Sequence, residues 1–100
     1  MVVEGVILRL RMTSPHSIFV VAPAANADAD GQIQVESHAR PLLIRLGLTT
    51  EVIKIGARVL VRGHPSKSRP EQRIFALSLQ FDDGTAFDLD LDRVLIPLAD

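Results

Sequence analysis

A chain of 100 residues, 47% hydrophobic and 23% charged, has the composition of one globular domain, and we assign residues 1–100 to a single domain. The formal net charge of -1 argues against nucleic acid or an anionic membrane as a partner recognised through bulk electrostatics. The absence of Cys excludes disulfide bonds, thiolate catalysis and Cys-ligated zinc. No apolar stretch approaches the ~20 residues that a membrane-spanning helix needs, so we expect no membrane insertion.

The N-terminal segment alternates with the period of a β-strand. Over residues 5–12, arginines at 9 and 11 lie on one face, and the opposite face carries Val6, Leu8, Leu10 and Met12. Because successive side chains of a strand point to opposite faces, this pattern predicts a half-buried strand with these four apolar residues sharing a face.

Two further strands follow. Residues 17–22 are apolar on both faces, as in a strand that is covered on both sides, and residues 32–36 alternate with Ile33 and Val35 directed inward. Between them, Asp30-Gly31 is a strong hairpin signal because a tight hairpin turn favours residues that tolerate positive φ. The first three strands are therefore predicted to form a meander.

The pattern then changes to helical spacing over residues 39–47. Pro41 suits the first helical turn, where its missing N–H costs nothing, and Gly47 stands where a left-handed C-terminal cap belongs. We expect one short helix of about two turns whose apolar face is formed by Leu42, Leu43 and Leu46.

The last part of the chain returns to alternation. We predict strands over residues 57–64, 73–81 and 85–92, with a tight turn at Asp83-Gly84 before the last one. Val59 and Val61 share one face of the first of these strands. In the second of these strands the alternation predicts that Leu77 and Phe81 are almost completely buried. The predicted inward face of this strand consists of Phe75, Leu77, Leu79 and Phe81.

Three strands, a helix, and two or three more strands is the order of a small Greek-key barrel of the oligonucleotide/oligosaccharide-binding (OB) type. The predicted class is therefore mainly β: an OB-fold-like barrel of five to six strands, with one short helix between strands 3 and 4 that plugs one end. A half-open sheet with the helix on one side is the alternative, since alternation supports both.

The segment Thr13-Ser14-Pro15-His16 joins two apolar strands and is either a binding site or a structural corner. Pro15 fixes its own φ, and we expect the hydroxyls of Thr13 and Ser14 to satisfy local backbone groups in such a corner. We favour the corner. In a meander the start of strand 2 and the end of strand 3 share one end of the barrel, so His16 and His38 are candidate metal ligands, with Glu36 as a carboxylate beside them, whereas His64 belongs at the other end.

The sequence gives less support to calcium binding, nucleic-acid binding and catalysis. Asp88, Asp90 and Asp92 alternate with apolar residues, which indicates the solvated face of a strand and not a calcium loop. Three of the four Phe fall on inferred core faces, so no stacking platform for bases remains, and the basic residues around strands 4 and 5 are best explained as a solvated face. No nucleophile motif is present, so we expect no enzyme and no cofactor. The basic group comprises Arg58, Arg62, Lys67, Arg69 and Arg73.

Several short motifs follow one another in order: E-G-V at 4–6, M-T-S-P-H at 12–16, I-Q-V-E at 33–36 and G-H-P-S-K at 63–67. This order resembles a bacterial family of small exported proteins, the domain-of-unknown-function family numbered 6152, whose members read E-G-x-V, W-T-N-P-H, a W-x-V-E-like strand and G-H/Y-P-x-K. The resemblance implies an OB-like barrel and an exported, periplasmic setting, and it implies no activity. It places tryptophans of the family at Met12, Ile33 and Leu48.

The function expected from the sequence is that of a non-enzymatic binding or accessory module, periplasmic or secreted, with its leader absent from this chain. Its partner is a small ligand or a protein, a homodimer is compatible with the sequence, and no nucleic acid is expected. The candidate binding residues are Thr13, Ser14, Pro15, His16 and Glu36. The alternative is a copper- or zinc-binding protein that uses His16 and His38, and an oligonucleotide-binding domain is the least favoured.

Overall fold

The computed structural model describes residues 1–23 and 31–90. Within these ranges the structure contains six strands and one helix. The predicted turn at Asp30 and the predicted strand residue Asp92 lie outside the described residues. The elements are β1 (Val2–Arg11), β2 (Ser17–Pro23), β3 (Ile33–Ser37), α1 (Arg40–Arg45), β4 (Arg58–Pro65), β5 (Arg73–Phe81) and β6 (Ala86–Asp88).

The first five strands close into a barrel. Strand order is β3-β2-β1-β4-β5-β6, and a parallel pairing of β3 with β5 joins the two ends of the five-stranded part. The predicted OB-like barrel is therefore confirmed, and the half-open sheet is not. Closure gives each of these five strands a partner on both sides over part of its length, and β6 is an additional strand paired with the second half of β5.

Strand β1 carries a β-bulge that reverses its faces. Its partners on β2 pass from Ile7↔Val21 directly to Arg9↔Val20, which leaves Leu8 as the extra residue. Before the bulge Ile7 is buried, and after it Leu10 packs against the core. The expectation that Val6 and Leu8 share the face of Leu10 is therefore wrong, because a bulge shifts the alternation by one residue.

Strand β5 has the same feature. Its partners on β4 pass from Arg62↔Ser78 to Gly63↔Ala76, so Leu77 is the extra residue. The buried residues of β5 are Ile74, Ala76, Leu79 and Phe81. Burial of Leu79 and Phe81 is as predicted, but Leu77 and Phe75 are only half-buried. Both bulges occur where a long strand passes from one half of the barrel to the other, where sharp strand bending is needed.

Two glycines allow neighbouring strands to approach closely. A Cβ built on Gly5 would clash with the carbonyl oxygen of Ala22, and one built on Gly63 would clash with the carbonyl oxygen of Phe75. Both sites lie on strands that contain or face a bulge. The bent barrel wall therefore depends on the missing side chain at these two positions.

The helix closes one end of the barrel. Pro41 lies in its first turn, and after the C-cap residue Leu46 the chain turns through Gly47 at φ 91°. The Leu48 N–H donates to the Leu43 carbonyl and the Gly47 N–H to the Ile44 carbonyl, which is a Schellman motif and confirms the predicted cap. Leu43 and Leu48 are completely buried beneath this end of the barrel.

The predicted turn at Asp83-Gly84 is present, with Gly84 at φ 90°. The Asp83 Oδ1 accepts a 2.8 Å hydrogen bond from the Thr85 N–H, which holds the pKa of Asp83 below its usual value, with the Thr85 side chain contributing in the same direction. Strand β6 then leads to Leu89, which is completely buried and whose N–H donates to the Leu77 carbonyl.

Candidate functional site: the outer face of β2 and β3

The Thr13–His16 segment is a corner anchored from two sides. The Ser17 Oγ accepts a 3.3 Å bond from the Thr13 N–H and lies 3.4 Å from the Thr13 carbonyl, to which it donates. The same carbonyl accepts the Arg40 N–H at 3.0 Å, which ties the corner to the start of α1. The Ser14–Pro15 peptide bond is cis, and Ser14, Pro15 and His16 are all exposed. The hydroxyl that bonds this corner is thus that of Ser17.

His16 and His38 lie at the same end of the barrel, as the meander predicts. The Ser17 N–H donates to the His38 carbonyl, so the backbones next to the two imidazoles are adjacent. The His38 ring, however, contacts Phe75 edge-on at 5.3 Å and places Nε2 at 2.7 Å from the Leu89 carbonyl oxygen. These contacts direct the ring towards β5 and β6, whereas His16 precedes β2 on the other side of β3.

The bond to Leu89 determines what His38 can do chemically. A carbonyl oxygen only accepts hydrogen bonds, so Nε2 carries the hydrogen and Nδ1 is the nitrogen available to a ligand or metal. The His38 side chain does not cap the helix, because Ala39 is the N-cap residue and no side-chain hydrogen bond caps the helix N-terminus. Within the part of the chain that the structure describes, no three His, Cys, Asp or Glu side chains form a group that could hold a metal ion.

Glu36 belongs to a row of outward side chains that crosses every strand of the barrel. The cross-strand partners run Arg11↔Ile18, Ile18↔Glu36, Glu36↔Phe75 and Phe75↔His64. A second row runs beside it through Arg9↔Val20, Val20↔Gln34 and Gln34↔Arg73. We call these two rows the β2–β3 face; its members are Arg9, Arg11, Ile18, Val20, Gln34, Glu36, His64, Arg73 and Phe75.

At the centre of the β2–β3 face, Arg73 contacts both Glu36 and Gln34. Arg73 lies 3.7 Å from a Glu36 carboxylate oxygen and donates to Gln34 Oε1 at 3.3 Å. The exposed fractions of the Arg73 and Glu36 side chains are 40% and 28%, so this pair is partly shielded from water. At the other border, Arg9 donates to Gln32 Oε1 at 3.3 Å.

Sequence reasoning assigned several of these residues differently. His64 was expected at the opposite end of the barrel from His38, but it pairs with Phe75, whose ring contacts the His38 imidazole. Phe75 was expected inward, and the bulge at Leu77 turns it outward. Arg73 was grouped with Arg58 and Arg62. The bulge separates them, because Arg62 pairs with Ser78 and Val2 on the other half of the barrel. The one local signal for this face is the alternation of Arg9 and Arg11, which are both exposed.

A shallow cleft of about 280 Å³ lies beside the corner, lined by Met12, Arg40, Ile44 and the turn at 49–51. This volume is below the ~300 Å³ at which ligand pockets usually begin. This cleft is therefore small for a ligand pocket. The corner directly precedes Ser17 and Ile18 of β2, so it borders the β2–β3 face.

A scan against protein-family models matches residues 1–74 to DUF6152, a family of unknown function. The chain belongs to this family. No curated protein and no solved structure shows significant similarity to it. In residues 1–23 and 31–90 there is no helix of the length and apolarity that crossing a membrane requires.

The resemblance to DUF6152 placed tryptophans of the family at three positions that all belong to the packing of this chain. Ile33 and Leu48 are buried, and Met12 packs against the core. In this chain these three positions therefore belong to the interior of the barrel and not to the β2–β3 face.

Proposed function

We propose that the protein is a non-enzymatic binding or accessory module, exported to the periplasm or secreted, that takes its ligand on the β2–β3 face. The observation that carries this proposal is the pair of rows on that face, in which aliphatic, aromatic and charged side chains lie side by side. Ile18, Val20 and Phe75 are half-buried although they point outward. An outward apolar strip bordered by charges is typical of an interaction surface.

Two further observations support the proposal. The chain has no nucleophile motif, which favours binding over catalysis. The export setting rests on the sequence resemblance to small exported proteins. The corner at Pro15 and His16 contributes by anchoring the start of β2, and therefore the position of Ile18, against α1.

The test is a thermal-shift screen of the purified chain against a fixed panel: an acidic peptide, a basic peptide, a hexasaccharide, a 12-mer of deoxythymidine, and Zn²⁺ and Cu²⁺ ions. At least one member should raise the unfolding temperature, because binding to the folded state alone stabilises it. The shift should disappear in Ile18→Gln, on the face, and persist in Leu60→Gln, a half-buried outward residue on the other half of the barrel. A panel without any shift, or equal losses in both variants, overturns the proposal.

The metal ions in this panel test the alternative function of copper or zinc binding through His16 and His38. The adjacency of their backbones favours it, while the direction of the His38 ring does not. A shift by Zn²⁺ or Cu²⁺ that is lost in His16→Gln and kept in Ile18→Gln would establish the metal-binding function instead.

A further inference from the structure

The β2–β3 face carries positive charge on a chain whose formal net charge is -1. Its cations are Arg9, Arg11 and Arg73, and its one carboxylate among the described residues, Glu36, is paired with Arg73. Formal charge over the two rows is therefore three cations against one anion, or +2. Because Glu36 is already neutralised, Arg9 and Arg11 present a positive border that an anionic partner approaches without repulsion.

The two arginines are spaced for an extended ligand. They are two residues apart on β1 and both point outward, which separates them by about 6.8 Å along the strand. This is also the spacing of side chains on one side of any extended peptide. Each arginine stands opposite an aliphatic side chain of β2, in the pairs Arg9↔Val20 and Arg11↔Ile18, so each charge has an apolar surface beside it.

This arrangement fits a peptide better than a nucleic acid. Nucleic-acid strands gain affinity by stacking successive bases on several aromatic rings. Among the described residues of the face, Phe75 is the one aromatic carbocycle, and the His38 ring already contacts it at 5.3 Å with an interplanar angle of 71°. Glutamate side chains, in contrast, offer a carboxylate for each arginine and methylene groups for Val20 and Ile18.

We propose that the β2–β3 face binds an extended acidic segment of a partner protein, whose alternate carboxylates pair with Arg9 and Arg11 and whose aliphatic parts lie on Val20 and Ile18. This inference rests on the proposed function and specifies its ligand. Over residues 18–21, β2 is paired with β1 on one side and with β3 on the other, so recognition at Ile18 and Val20 occurs through side chains and not by addition of a strand.

The probe is a fluorescein-labelled peptide of four Val-Glu repeats, titrated with the full chain by fluorescence anisotropy at low and at physiological salt. Affinity should fall as salt is added, since the contacts are between exposed charges. The double variant Arg9→Glu/Arg11→Glu should weaken binding at least about tenfold, or ~1.4 kcal/mol. Its matched control is Arg58→Glu/Arg62→Glu on β4, which has the same net charge and should change affinity less than about threefold.

Circular dichroism establishes that each variant folds, and Arg11→Gln replaces the double variant if that one does not. Equal weakening by both double variants overturns the inference, because binding then follows net charge and not this face. Tighter binding of a 12-mer of deoxythymidine, lost in Arg9→Glu/Arg11→Glu, overturns the peptide assignment and leaves the proposed function standing. If the peptide does not bind, but another member of the panel gives a thermal shift that is lost in Ile18→Gln, the peptide assignment is likewise overturned and the proposed function stands.

Discussion

The Nε2 atom of His38 lies 2.7 Å from the carbonyl oxygen of Leu89 and joins the ends of two strands that meet along β5. Strand β3 runs parallel to the first half of β5, and β6 runs antiparallel to its second half. Their C-terminal ends therefore approach each other from opposite directions near the bulge at Leu77. The imidazole therefore links β3 to the end of β6 at the point where β5 changes its partner from one strand to the other, which we call the seam.

Removal of this imidazole should destabilise the barrel. We expect His38→Ala to lower the free energy of unfolding by about 1 kcal/mol or more, since it removes one hydrogen bond and the contact with Phe75. His16→Ala, at the exposed histidine of the corner, is the control and should change stability by less than about 0.5 kcal/mol. Urea unfolding measures both, and equal effects would contradict a role for His38 in the seam.

The bulge in β5 predicts a contrast between two leucines of one strand. Leu79→Ala should cost about 2–5 kcal/mol because it leaves a cavity at a side chain that is 1% exposed. Leu77→Ala should cost about 1 kcal/mol, because Leu77 is the extra, half-buried residue. The comparison is made by urea unfolding of both variants, and a larger loss at Leu77 would show that the inward face was assigned incorrectly.

Close approach of β4 and β5 should make Gly63 intolerant of a side chain. Gly63→Ala forces a Cβ against the Phe75 carbonyl oxygen, and we expect a loss of about 3 kcal/mol or failure to fold. Gly47→Ala is the comparison, because its positive φ costs about 1 kcal/mol while its surroundings have space. Thermal unfolding ranks the two; a milder effect at Gly63 would argue against the observed strand separation.

Two buried serines paired across β2 and β3 should respond in opposite ways. Ser17 Oγ bonds the backbone of Thr13, whereas Ser37 Oγ has no hydrogen-bond partner among the described residues, although both serines are completely buried. Ser17→Ala should therefore cost about 1 kcal/mol, and Ser37→Ala should be neutral or stabilising by up to ~1 kcal/mol. Equilibrium unfolding of both variants checks the difference in sign, and a loss at Ser37 comparable to that at Ser17 would indicate a bonded hydroxyl.

Elements whose causes are local could be predicted from the amino-acid sequence. Alternation identified the strands because side chains of a strand point to opposite faces regardless of partner. Pro41 and Gly47 marked the ends of the helix, and Asp83-Gly84 marked a turn, because backbone preferences at these residues act within a few positions. The order of these elements was sufficient to predict an OB-like barrel.

Which residues share the β2–β3 face depends on pairings between strands that are distant in the chain, and these could not be predicted from the sequence. Each bulge is produced by the bending of a strand between two halves of a closed barrel. The bulge in β5 moves Phe75 from the predicted core to the surface. The partner of His38 is 51 positions away in the chain, so no local pattern indicates it. The parallel closure of β3 on β5 brings Glu36 to Arg73, and alternation within one strand carries no information about which strand lies beside it.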